Sequence, residues 1–172
     1  MYQRILVPVD GSTSSSRALD EAVKLAKLTG ASLRLVHVVD VLSLTESVEA
    51  GVVYTRDVMS TLKKAGQEIL EQGRALVAGS GIAVDTLLCE SFALRTSALV
   101  VEEANAWNAD LIVIGTHGRR GMRRWMLGSD AEQILRVSPV PVLLVREPGT
   151  ELSGVPRRKF AAPLASGEID AP

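Results

Sequence analysis

A chain of 172 residues, 47% hydrophobic and 23% charged, can remove roughly 69% of its extended surface from water in one core, which excludes wholesale disorder. Lys plus Arg number 19 against 20 for Asp plus Glu, a formal charge of -1, and aromatic residues make up 3%; nothing here draws the whole molecule to nucleic acid or an anionic membrane, or builds base-stacking platforms. One cysteine, Cys89, excludes an internal disulfide framework and a cysteine-rich zinc site, and fits a reducing compartment.

The first element is the apolar run Ile5–Val9. Pro8 and Asp10 break it too early for a signal-peptide core, and no later run approaches the ~18 apolar residues of a membrane span, so a soluble, cytoplasmic protein without membrane insertion is the expectation. Ser14, Ser15 and Ser16 offer N-caps for a helix carrying Leu19, Ala22, Val23 and Ala26, with Gly30 as its stop. A second apolar run, Leu33–Val39, follows. Residues 40–54 have mixed composition and no clear period. A helix is expected from about Thr55 to Ala78, with Leu62, Ile69 and Leu76 on one face and Ala65 and Gly73 near it. The run Ala83–Cys89 comes next, then a helix from Arg95 or Thr96 to before Asp110 that shows Ala98, Val101 and Ala104 inward. Leu111–Ile114 is the fourth run. A last helix from Ser129 or Asp130 to before Pro139 precedes the fifth run, Val140–Val145.

Runs that are continuously apolar, rather than alternating, belong to strands buried on both faces. Five of them separated by helices describe a doubly wound α/β domain with right-handed crossovers. It occupies residues 1–146. Residues 147–172, with Arg157, Arg158 and Lys159, read as an extended or disordered tail.

Ligands of such sheets sit beyond the carboxyl ends of the strands. The first strand ends in Asp10–Gly11–Ser12, which reads either as a carboxylate facing a ligand or as a turn capping the first helix. The fourth runs into Gly115-Thr116-His117-Gly118-Arg119-Arg120-Gly121-Met122-Arg123-Arg124-Trp125-Met126-Leu127-Gly128-Ser129. Gly115 and Gly118 let main-chain amides approach an anion, and Gly128 and Ser129 stand at a helix N-terminus that favours phosphate. Arg119 is the arginine best placed for a terminal phosphate; Arg120, Arg123 and Arg124 read as a solvated basic segment. Neither G-x-x-x-x-G-K-[ST] nor a G-x-G-x-x-G after the first strand is present.

The spacing Gly115-x2-Gly118-x9-Gly128-Ser129, in frame with Ile-Leu-Val-Pro-Val-Asp at the start and Pro-Val-Pro-Val-Leu-Leu-Val at the end, resembles the ATP-binding branch of the universal stress protein family. The resemblance implies a Rossmann-like sheet in the order 3-2-1-4-5. It also implies that Pro8, Val9 and Asp10 lie along the adenosine, with Asp10 near the ribose or a nucleotide-bound Mg or Mn ion. Val38 then matches the position whose main chain reads the adenine edge. Ile114 and Gly115 flank the nucleotide, and Gly118, Gly128, Ser129 and Asp130 surround the phosphates. Asp130 departs from the family, where an uncharged residue is common. The resemblance further implies a homodimer through the last strand (Val140, Val142, Leu143, Leu144, Val145) and an unidentified protein partner that reads the nucleotide state.

Two alternatives stand beside an ATP-binding regulator: a slow ATPase using the same site, and a dimeric scaffold whose site is vestigial. Neither His37, read as a structural histidine, nor His117, inside the glycine turn, makes a convincing catalytic base, and the intact glycines argue against a vestigial site. A phosphoacceptor receiver domain is rejected because the strands end in a single Asp10, in Cys89-Glu90 and in Arg146-Glu147. Cys89 itself reads as a small buried hydrophobe.

Overall fold

A computed structural model describes residues 1–40, 56–91, 94–118 and 127–146. The expectations for the 40–54 connection, for Arg119, Arg120, Arg123 and Arg124, and for the 147–172 tail fall outside the described residues, Asp40 apart. The elements are β1 (Arg4–Pro8), α1 (Thr13–Thr29), β2 (Ser32–Asp40), α2 (Arg56–Val77), β3 (Val84–Ser91), α3 (Thr96–Ala106), β4 (Leu111–Gly115), α4 (Ser129–Val137) and β5 (Val142–Val145). The strands form one sheet in the order β3-β2-β1-β4-β5, parallel at every pairing. Among the described residues no helix is long and apolar enough to cross a membrane.

Alternation along each strand divides the core into two layers. Ile5, Val7, Leu33, Leu35 and Val113 face α1 and α2, where Leu19, Ala22, Leu70 and Val77 meet them. Leu6, Val36, Ile112 and Ile114 face α3 and α4, against Val100, Ala104, Ala131 and Ile134. Both layers are dry: Ile5, Leu6, Leu35, Ile112 and Ile134 expose nothing.

Three helix expectations need correction. The cap of α1 is Ser12, whose side chain accepts from the Ser15 N–H; Ser14 and Ser15 lie inside the first turn and are buried, because Gly11 at φ +80° turns the chain into the helix sooner. The inward stripe of α2 is Gly66, Leu70, Gly73 and Val77, while Leu76 is 58% exposed and Leu62 and Ile69 are half-buried. Glycine lets that stripe approach: a Cβ at Gly73 would stand 2.9 Å from Leu35 Cδ1. In α3 the buried residues are Ser97, Val100 and Ala104, one position earlier than Ala98 and Val101. β5 also starts later than Val140. Pro139 and Pro141 lack donors, and Val140 N–H turns to Ser138 Oγ at 3.2 Å instead of joining the sheet.

A charged cluster sits within the sheet. Arg34 on β2 donates to both carboxylate oxygens of Asp85 on β3, at 2.8 and 2.6 Å, and to Glu103 on α3 at 2.6 Å. Its guanidinium carbon lies 4.7 Å from the centroid of the Trp107 ring. The Asp85 hydrogen bonds hold the guanidinium's pKa above its ordinary value, against the opposing effect of burial. At the amino end of the sheet, the Asp110 carboxylate accepts from the Gln3 and Arg4 amides at 2.7 and 3.1 Å, tying the chain's start to the entry of β4.

Candidate nucleotide site

β1 is the switch point of the sheet: its chain neighbour β2 lies on one side and β4 on the other. The alternating residues of β1 that turn their main-chain groups toward β4 include Arg4, whose carbonyl accepts from Asp110 N–H at 2.9 Å, and therefore Leu6 and Pro8. Pro8 has no N–H to give, and the β1–β4 pairing stops at Leu6 with Ile112. The β2 side continues one rung further, with Val9 N–H donating to Val36 C=O at 2.8 Å. The gap on the β4 side is where this architecture receives a ligand.

Beyond that rung the chain turns through Asp10, Gly11 and Ser12. Asp10 Oδ1 accepts from the Ser12 N–H at 3.0 Å and from the Ser12 hydroxyl at 2.6 Å, and Ser12 Oγ accepts from Ser15 N–H at 3.1 Å. The turn and the cap are thus one device. The same carboxylate also reaches the second loop: a Cβ at Gly118 would stand 2.9 Å from Asp10 Oδ2. The two alternatives for Asp10 are compatible, since one oxygen braces the turn and the other lies over Gly118.

The loop after β4 is closed at its neck. Gly128 N–H donates to Thr116 C=O at 2.8 Å, and a Cβ at Gly128 would crowd that oxygen at 3.3 Å and Gly118 N at 3.8 Å. Gly118 and Gly128, ten positions apart in sequence, are therefore neighbours in space. Gly115 differs. It is buried, and a Cβ there would collide with Ser14 Oγ and come within 2.8 Å of the Ser14 carbonyl carbon and oxygen. Its small size serves the seating of α1 on β4. Ser14, one of the three cap candidates of the sequence, also accepts from His117 N–H at 3.4 Å.

His117 Nδ1 lies 3.0 Å from Thr116 Oγ1. Its Nε2 is buried and has no hydrogen-bond partner among the described residues, an unmet group of the kind that buried polar atoms rarely leave. His37, 5% exposed, donates from Nδ1 to Val9 C=O at 2.7 Å. Ser129 and Asp130 are exposed in the first turn of α4, which Gly128 caps without a side-chain bond. The Ile114 side chain is buried in the core, so what it offers the site is main chain. Val38 lies on β2 beyond the last β1 rung. The structure thus gathers Pro8, Val9, Asp10, Gly115, Gly118, Gly128 and Ser129 at one end of the sheet. Among the described residues no three His, Cys, Asp or Glu side chains cluster as metal ligands. Burial, with a smaller push from the Glu103 charge, holds the half-buried Cys89 thiol above its ordinary pKa.

Comparison with known proteins bears on this geometry. The universal stress protein family model matches residues 1–146. The chain belongs to the universal stress protein family. It is 33% identical over 151 residues to universal stress protein YxiE of Bacillus subtilis, covering 85% of this chain and all of that one. It is also 33% identical to a universal stress protein of Methanocaldococcus jannaschii, over 88% of this chain and 86% of the relative. Among solved structures, a universal stress protein of Burkholderia pseudomallei superposes with a TM-score of 0.65 at 28% identity, over 84% of this chain and 96% of that one. A universal stress protein solved in complex with cAMP superposes with a TM-score of 0.60 at 25% identity, over 84% and 97% of the two chains. The sheet order that the sequence resemblance implies is the order observed in this chain.

Proposed function

We propose that this universal stress protein binds ATP at the carboxyl ends of β1 and β4 and acts as a regulatory or protective module whose nucleotide state partners read. The observation that carries the reading is the closed neck, Gly128 N–H to Thr116 C=O at 2.8 Å, set opposite Asp10 Oδ2 across Gly118. Main-chain amides of Gly118 and Ser129, with the Ser129 hydroxyl and the dipole of α4, receive the phosphates. Arg119 pairs with a terminal phosphate. Pro8 and Val9 lie along the adenosine, and the Val38 main chain faces the adenine. The cAMP complex of a relative supports an adenine nucleotide as the ligand class.

A Mg or Mn ion fits this site only as part of the ligand. Asp10 supplies one carboxylate, and the remaining places fall to phosphate oxygens and water, the usual surroundings of Mg with nucleotides. Bound there, the ion neutralises phosphate charge beside Asp10. Turnover is not proposed, since His37 is committed to Val9 and among the described residues no carboxylate orients His117.

β5 is an edge strand with Leu143 36% exposed, and Leu135 and Val137 of the adjoining α4 are 47% and 56% exposed. An apolar edge left unpaired among the described residues calls for cover, and a second copy pairing there through a two-fold axis supplies it. The protein then works in the cytoplasm as a homodimer.

Thermal melting with Mg-ATP tests the binding. Ligand at about 100 times its dissociation constant adds ~2.7 kcal/mol, or roughly 5–11 °C for a chain of this size. No shift at millimolar ATP refutes the reading, as does a shift that persists in Asp10→Ala combined with Gly118→Val. Phosphate release well above that of the same double variant would move the assignment to a hydrolase.

A further inference from the structure

Val36 C=O accepts from Val9 N–H, so Val36, and with it Val38 two residues on, turns its main-chain groups toward β1. The regular continuation of a parallel ladder is a bond from Val38 N–H to Val9 C=O. That bond is not made among the described residues. The Val9 carbonyl is taken instead by the side chain between those two amides: His37 Nδ1 donates to it at 2.7 Å.

The ring has no room to leave. It is buried beneath α2, where a Cβ at Gly66 would stand 2.7 Å from His37 Cδ2 and 2.7 Å from Leu88 Cδ1. Because a carbonyl can only accept, Nδ1 must carry a proton in this arrangement. The side chain of one β2 residue thereby takes the place at that carbonyl which the next residue's amide fills in a regular ladder.

We propose that His37 is a positioning residue for base recognition: by occupying the Val9 carbonyl, it keeps the Val38 N–H turned into the crevice as a donor for the nucleotide base. The inference rests on the nucleotide site proposed above and names what prepares its base-reading edge.

Two amide substitutions separate the ring's nitrogens, since Asn places its N–H near the position of Nδ1 and Gln near that of Nε2. Isothermal titration of the full chain with Mg-ATP should find His37→Asn within about threefold of wild type. His37→Gln should bind roughly tenfold more weakly, the factor expected when one buried hydrogen bond of ordinary strength is lost. Melting without nucleotide checks that both variants fold. Equal affinities for the two folded variants overturn the proposal, whether both match wild type or both fall. If neither variant folds, the ¹⁵N spectrum of the wild-type ring decides: a protonated Nδ1 with a slowly exchanging proton supports the proposal, and a bare Nδ1 overturns it. Failure of wild type itself to bind Mg-ATP defeats the nucleotide reading instead, and leaves the spectrum to judge the hydrogen bond.

Discussion

Gly115→Ala and Gly118→Ala add the same methyl group to glycines three positions apart and should have different effects. At Gly115 the new Cβ meets the carbonyl carbon and oxygen of Ser14, each 2.8 Å away. These are main-chain atoms of the first turn of α1, held by the Ser12 cap, so no rotamer change relieves the overlap. The helix must shift off β4 or the strand must bend. Overpacking of this kind destabilises by about 1–3 kcal/mol, which lowers the melting temperature of a chain this size by roughly 2–12 °C. At Gly118 the nearest atom is Asp10 Oδ2 at 2.9 Å, the end of a side chain, and the residue is exposed. The carboxylate can swing aside, so stability should change by less than about 0.5 kcal/mol while Mg-ATP affinity falls. Melting and nucleotide titration of both variants check the pair. A Gly115→Ala protein that melts like wild type would refute the packing account, and a Gly118→Ala protein with undiminished affinity would remove Asp10 and Gly118 from the site.

Three further outcomes are expected. Arg34→Met should lower stability to urea by about 1.5–3 kcal/mol, because Glu103, whose side chain is 14% exposed, loses a charge-assisted hydrogen bond and stays covered; an unchanged midpoint would show the cluster to be neutral. Cys89 should react with iodoacetamide at pH 8 far more slowly in the folded chain than in urea. Burial raises its pKa, so the folded state holds the proton longer; stability is unaffected below the ordinary thiol range and falls as the pH rises above it. A Cys89→Ala variant should lack that alkaline decline, and identical profiles would count against the assignment. Leu143→Arg, at the exposed centre of β5, should convert a dimer to a monomer in light scattering, and a dimer that survives the charge lies elsewhere.

The five strands were legible because unbroken Val, Ile and Leu runs admit few arrangements other than burial on both faces. Strand order came from the resemblance, since apolar runs alone do not say which neighbours pair. The helix faces were read one residue off. In α2, leucine and isoleucine at a seven-residue spacing suggested a stripe, but the two glycines determine which side can come close to the sheet, and hydrophobicity scales carry no signal for that. Asp10, Gly118 and Gly128 were visible as motif residues, whereas the reason for Gly115 was not: Ser14, its neighbour, is a hundred positions away in sequence and looked like a cap. His37 gave no cue beyond being a polar residue within an apolar run. Arg34 gave the same cue in the same strand, and there it marked the ion cluster with Asp85, Glu103 and Trp107.

The opening between β1 and β4 arises from covalent chemistry at Pro8, whose ring nitrogen has no proton to share, and not from a side chain that must first move. An incoming molecule separates no paired strands on entry, so little of its binding energy is diverted to rearranging the scaffold. Association should accordingly run without a slow isomerisation step, with an observed rate that climbs linearly with ligand concentration instead of levelling off.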